Sequence, residues 1–216
     1  MSSFTETFKC AEKIVRPLIE QHGFTLKSIE INDVKGSQWI YGSAIYKEQR
    51  NWLRAGSAQR FIKISVAPLR LELDLNFGAG KEEYTIYELH NLNGGGEFPT
   101  LQHSLYKAME DEVALAAEFT TLIQLLVTCG PDFFNEKTSL FSDLKAQRRK
   151  YAIEEENKRI FKEAEAAFKK KQWSVVVNLL DKKEAYLSKL NASRLKYARK
   201  KINITHIRLR AVNKQK

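Results

Sequence analysis

Residues Arg60 to Phe77 read RFIKISVAPLRLELDLNF, and the spacing of apolar side chains in this stretch decides the fold. Two strict alternations meet at Pro68. Ile62, Ile64 and Val66 share one face before it, and Leu69, Leu71, Leu73 and Leu75 share one face after it. Lys63, Ser65, Arg70, Glu72, Asp74 and Asn76 point the other way. A period of two with one apolar face predicts half-buried strands, neighbours in an antiparallel sheet. Pro68 has no N–H to give to a ladder, so it marks the corner between them. The apolar face of such a sheet requires a helical cover.

The flanking segments supply more strands and that cover. Upstream, Leu26 to Val34 and Gln38 to Lys47 read as strands around a turn at Lys35-Gly36-Ser37, and Glu48 to Gln59 reads as a polar loop holding Trp52 and Gly56. Downstream, Gly78-Ala79-Gly80 predicts a turn and Tyr84 to Leu89 a last strand. At the N-terminal end Ser3 and Glu6 have capping-box spacing, and Phe4, Phe8, Ala11, Val15, Leu18 and Ile19 form a helical stripe that Gly23 ends. Pro17 inside the stripe predicts a kink or a late start. Beyond Gly94-Gly95-Gly96 and Pro99 the spacing predicts a long helix, Leu101 to Thr128, closed by Gly130-Pro131. The expected fold class is α+β: an N-terminal helix and a five-stranded, mainly antiparallel meander covered by helices, followed by an all-helical extension.

Charge divides the chain more sharply than hydrophobicity does. Residues 1–134 hold 13 Lys+Arg against 17 Asp+Glu, whereas residues 135–216 hold 23 against 9, giving nets of −4 and +14. We therefore expect two domains, an α+β sheet domain over 1–134 and a basic helical extension over 135–216. No acidic residue follows Glu184, while ten Lys or Arg do. Two cysteines, Cys10 and Cys129, lie far apart without metal-ligand spacing, which favours a reducing compartment. The first residues lack a basic start followed by an apolar run, and Leu122 to Cys129 is too short to span a bilayer. The expectation is a cytoplasmic protein with no membrane partner.

Within Asn157 to Lys201, Ile160, Ala164, Ala167, Trp173, Val176 and Leu180 interlock small and large side chains at the spacing of a helical hairpin. This segment resembles a single tetratricopeptide-like hairpin, with a further helix, Leu187 to Ile202, packed on its second arm.

Candidate sites follow from residue type and phase. Trp39, Tyr41 and Tyr46, with Trp52 nearby, form an aromatic set suited to a protein interface, and Arg70, Glu72 and Asp74 belong to the polar face of the sheet. Aromatics of this kind also build cores. Lys189, Lys196, Arg199 and Lys200 cluster on one side of the C-terminal helix, opposite Leu187, Leu190, Ala198 and Ile202, and Arg208 and Arg210 extend the charge; such a face neutralises phosphates. Glu72 with Asp74, or Glu88 with His90 read on one strand edge, has the composition of an acid–base pair, but a solvated polar face for the first and a polar strand edge for the second are the simpler readings. His22, His90, His103 and His206 match no metal motif, and the triple glycine lacks the lysine and hydroxyl of a phosphate loop. No catalytic, metal or cofactor residue is expected, and the protein is not expected to be an enzyme.

The helix ending in His22-Gly23-Phe24, the meander, and the closing GPDFFNEKTSLFSDLKAQRRKY together resemble uncharacterised bacterial α+β proteins grouped with the immunity proteins of polymorphic toxin systems, over residues 4–150. That resemblance implies a cytosolic protein that neutralises a toxin by binding it, with no catalytic residues to carry over. The leading expectation is thus a protein-binding module with a protein partner, and the alternative is a nucleic-acid-associated protein using its basic C-terminal helix.

Overall fold

The computed structural model describes residues 3–32, 40–49, 58–67, 72–99, 110–137 and 139–213, with backbone alone from Thr205. The order is α1 (Phe4–Glu20), β1 (Phe24–Asn32), β2 (Tyr41–Glu48), β3 (Arg60–Ala67), β4 (Glu72–Ala79), β5 (Glu82–Thr85), α2 (Ile86–Leu92), α3 (Glu112–Cys129), α4 (Pro131–Phe134), α5 (Ser139–Lys169), α6 (Trp173–Asp181) and α7 (Lys189–Asn213). The protein is α+β, with an N-terminal helix, a five-stranded antiparallel meander in the order β1-β2-β3-β4-β5, and several helices in its C-terminal half. The chain forms two compact units, residues 1–145 and 146–216.

In the first unit the cross-strand register explains the core. Leu26, Tyr46, Ile62, Phe77 and Tyr84 form one row across the five strands, and Ile29, Ala44, Ile64 and Leu75 form the next. All point to the helices, and all but Leu26 and Ile29 are buried. In β1 the apolar residues change parity, from Phe24 and Leu26 to Ile29 and Ile31. A β-bulge absorbs Lys27, since Leu26 pairs with Tyr46 and Ser28 with the next residue, Ile45. Helix α1 begins with the Ser3–Glu6 capping box and buries Phe8, Ala11, Val15 and Ile19. It lies so near β2 that a Cβ on Gly42 would meet the Phe8 ring at 2.7 Å. Helix α3 is long and apolar enough to cross a membrane, yet its Leu115, Phe119, Leu122 and Leu126 are buried in this core.

Two expected elements change. The predicted strand Tyr84 to Leu89 stops at Thr85, where a second capping box with Glu88 starts α2. The Thr85 hydroxyl accepts from the Glu88 N–H at 3.1 Å and the Glu88 carboxylate accepts from the Thr85 N–H at 2.9 Å, so the local hydrogen bonds favour a helix over further pairing. The predicted helix from Leu101 is described only from Glu112, where the Asp111 side chain accepts from Val113 and Ala114. Leu69, Leu71 and the corner at Pro68 lie outside the described residues.

The composition shift near Asn135 precedes the structural division because Phe133, Leu140 and Leu144 are still buried in the first core. Helix α5 begins there and continues into the second unit. In that unit Ala164, Ala167, Val176, Leu180, Leu195 and Ala198 form a separate small core from α5, α6 and α7. Lys171, in the left-handed region at φ 59°, makes the tight turn into α6.

Candidate functional site

The first unit draws charge inward. Arg60 is in phase with Ile62, Ile64 and Val66, so the pleat sends it to the core side, where it is 8% exposed. Its guanidinium meets Glu48 in a two-pronged ion pair, at 3.0 and 2.6 Å, and also donates to the carbonyls of Phe133 and Phe134. The same group lies 5.7 Å from the Phe24 ring centre and 5.4 Å from that of Phe133. It thereby ties β2 and β3 to the segment that leads into α5.

A second buried network joins α1 to the sheet. Glu12 is fully buried, accepts from Arg16 at 2.9 and 2.6 Å, and accepts from the Tyr46 hydroxyl at 2.5 Å. Burial first, and then the bond to Glu12, hold the Tyr46 hydroxyl well above its ordinary value. Tyr46 is therefore a core residue with a satisfied hydroxyl. The expectation that it faces a partner is corrected: in β2 its parity matches Ala44 and not Tyr41. Tyr41 is 40% exposed and remains on the outer side of the sheet. Trp39, Trp52 and Arg70 lie outside the described residues.

Glu72 and Asp74 occupy the outer polar face as the alternation requires, and both are exposed. Partial burial first, and the neighbouring Glu72 carboxylate second, raise Asp74 above the usual carboxylate range. Glu88 is committed to its cap, and the His90 ring packs edge-on against Phe98 at 5.5 Å. On a helix, residues two apart diverge, so Glu88 and His90 do not form the pair that a strand would have made of them. A shallow apolar cavity of about 240 Å³ lies between Leu75, Ile86, Tyr87, Phe98 and Leu122, with Asp74 among its lining residues. No group of three or more metal-ligating side chains assembles among the described residues.

Among its described residues the second unit buries no charged side chain. It holds 21 Lys+Arg against 7 Asp+Glu, a net of +14 in 71 residues. Six of those seven acids are held in ion pairs: Glu155 with Lys158, Glu156 with Lys183, Glu163 with Arg159, Glu165 with Lys169 and Arg194, and Asp181 and Glu184 both with Arg199. The Lys169 ammonium, and more weakly Arg194, lower Glu165 below its ordinary value.

On α7 the buried residues Asn191, Leu195 and Ala198 define the inner side. Lys189, Lys196 and Lys200, seven and four residues apart, fall in one exposed stripe away from it, and none has an ion-pair partner among the described residues. Arg199 differs from this group. Its bonds to Asp181 at 2.6 Å and Glu184 at 3.4 Å raise its pKa and make it a tie between the end of α6 and α7. The helix runs on to Asn213, so Arg208 and Arg210 belong to it, although their side chains lie outside the described residues.

Sequence reasoning missed Arg60, Glu48 and Glu12. The signal for the first two was parity, since each shares the phase of its strand's apolar residues. Glu12 lies on the α1 stripe with Phe8, Ala11, Val15 and Ile19, and Arg16 together with the opposing Tyr46 makes its burial tolerable. No family model, no curated protein and no solved structure matches this chain.

Proposed function

We propose that the protein works by binding rather than catalysis, and that its helical unit engages the phosphates of a nucleic acid through α7. The observation that carries this reading is the allocation of charge in residues 146–216. Six of the seven acids are held in pairs within the unit, while Lys189, Lys196 and Lys200 line one exposed stripe with no partner among the described residues. A lysine stripe of this kind gains by releasing counterions from a phosphate backbone, and its affinity falls steeply with salt. The test is the salt dependence of binding to a fluorescent single-stranded oligonucleotide by the full chain and by the K189Q/K196Q/K200Q variant. Loss of three phosphate contacts lowers the slope of log K against log salt by about 2. An unchanged slope at unchanged stability sinks the reading.

A second reading has support in the first unit. Its net charge is −4, and its outer sheet face presents Tyr41, Glu72 and Asp74. Such a face suits a basic protein, as the resemblance to immunity proteins implies for a toxin. Here the decisive experiment is recovery of the tagged chain from its native lysate with and without nuclease. One protein in near-equal amount, indifferent to nuclease, favours this second reading; material lost with nuclease favours the first.

A further inference from the structure

Three aromatic side chains of the helical unit stand together beside its lysines. Phe168 on α5, Trp173 at the start of α6 and Tyr197 on α7 form a triangle with ring centres 5.4, 5.7 and 5.5 Å apart. The rings meet at 75°, 55° and 70°, so they touch through edges rather than face to face. Phe168 and Trp173 are partly buried against the small core, whereas Tyr197 is 45% exposed. Tyr197 also lies off the buried seam of α7, which passes through Asn191, Leu195 and Ala198.

The surroundings are cationic. The Lys201 ammonium lies 5.2 Å from the Tyr197 ring centre, and Arg194 lies 6.0 Å from that of Phe168. Lys196 and Lys200 flank Tyr197 along α7, and Lys170 and Lys171 form the turn that leads into Trp173. An exposed ring among cations offers what a single strand needs: a π surface for an unstacked base and ammonium groups for the phosphates on either side of it. A duplex offers the same phosphates but keeps its bases stacked and paired, so it makes no use of the ring.

We propose that Tyr197, backed by Trp173 and Phe168, is a stacking platform for a base of single-stranded nucleic acid, held there by the lysines around it. This rests on the polyanion reading and adds to it a preference for unpaired strands. On docking, Lys201 moves from the ring to a phosphate, and the base takes its place over the face of Tyr197.

The test compares the full chain with the Tyr197→Leu variant, which keeps apolar cover over Phe168 and Trp173 but removes the aromatic face. Each is titrated with a fluorescent 12-nucleotide oligo(dT) and with a 12-base-pair duplex at one fixed salt concentration, after thermal melts have shown equal stability. The expected result is a loss of about fivefold or more for oligo(dT) with duplex affinity unchanged, the size of one lost base–aromatic contact. Equal affinity of variant and parent for oligo(dT), or an equal loss for both nucleic acids, overturns the stacking platform while leaving phosphate binding intact. Failure of the parent chain to bind either nucleic acid overturns both. Should Tyr197→Leu prove unstable, Tyr197→Phe serves as the second variant: it keeps the π face, and a fivefold loss with it overturns the proposal.

Discussion

In residues 1–145 Glu12 and Arg60 are inside, each held by a partner that reaches it from another element, whereas among the described residues of 146–216 no acid and no cation is buried. The difference follows from what each unit has to bury. A five-stranded sheet with helices over it offers a large aromatic core, and at its margin the pleat sends Arg60 and Glu48 inward together. Each then justifies the other, because an unpaired charge there would be far more costly than the pair. The helical unit has a smaller core, and the polar side chains it buries, Asn157 and Asn191, carry no charge. One unit holds ions inside its fold; the other carries them on its described surface.

The largest effect expected from breaking that contrast is at Arg60. Arg60→Ala removes the two-pronged pair from the half-buried Glu48 and the hydrogen bonds to the Phe133 and Phe134 carbonyls, at a cost of about 3 kcal/mol confined to the first unit. Hydrogen exchange resolved by segment should show faster exchange across β2 to β4 and unchanged exchange in α6. A paired replacement, Arg60→Met with Glu48→Leu, should recover much of the loss; if it does not, the carbonyl bonds and not the ion pair hold the segment. The converse change is Leu180→Ala. It opens a void in the small core at about 2–4 kcal/mol, and exchange should quicken across α6 and α7 while the sheet stays protected. Spread of either effect across both units would contradict the separation of their cores.

A smaller effect sharpens the comparison by pH. The native fold keeps the Tyr46 proton above the ordinary value near 10, at which an unfolded chain would release it. Its contribution is complete below about pH 10 and is lost as pH rises from there towards the native value. Tyr46→Phe should therefore cost about 1–2 kcal/mol at neutral pH and flatten the fall in stability above pH 10. Urea unfolding at pH 8, 10 and 11 measures both, and an alkaline slope identical to the parent's would show that the native fold does not hold the Tyr46 proton. No such change is expected in the helical unit.

The meander was legible because strict alternation from Ile62 to Val66 and from Leu73 to Leu75 leaves no other period that fits. The capping box at Ser3 and the stop at Gly23 were legible because they are local. What the sequence concealed was set by neighbours distant in the chain. The turn from β5 into α2 depends on Thr85 and Glu88 capping each other, in a stretch whose apolar spacing also suits a strand. Tyr46 reads as a core residue or as an interface aromatic, with the core favoured, until Glu12 is placed opposite it. The stripe of Lys189, Lys196 and Lys200 was visible as a projection, but only the pairing of Arg199 with Asp181 and Glu184 separates it from the cation next to it. The aromatic triangle joins residues from three helices, and the spacing within any one of them does not show that the rings meet.

The bulge in β1 has a consequence for how this chain tolerates changes in length. Lys27 is the one residue between Phe24 and Asn32 with no partner across the β1–β2 ladder, and the recorded partners on either side of it are consecutive on β2. Deleting it would leave every other partner in place and turn Phe24, Leu26, Ile29 and Ile31 into an uninterrupted alternation. Deleting a residue from β3, where Ile62, Ile64 and Val66 are all buried, would instead turn half of that strand inside out. An in-frame loss of three nucleotides at codon 27 is thus a nearly silent edit, and the same loss anywhere from codon 62 to codon 66 is a destructive one.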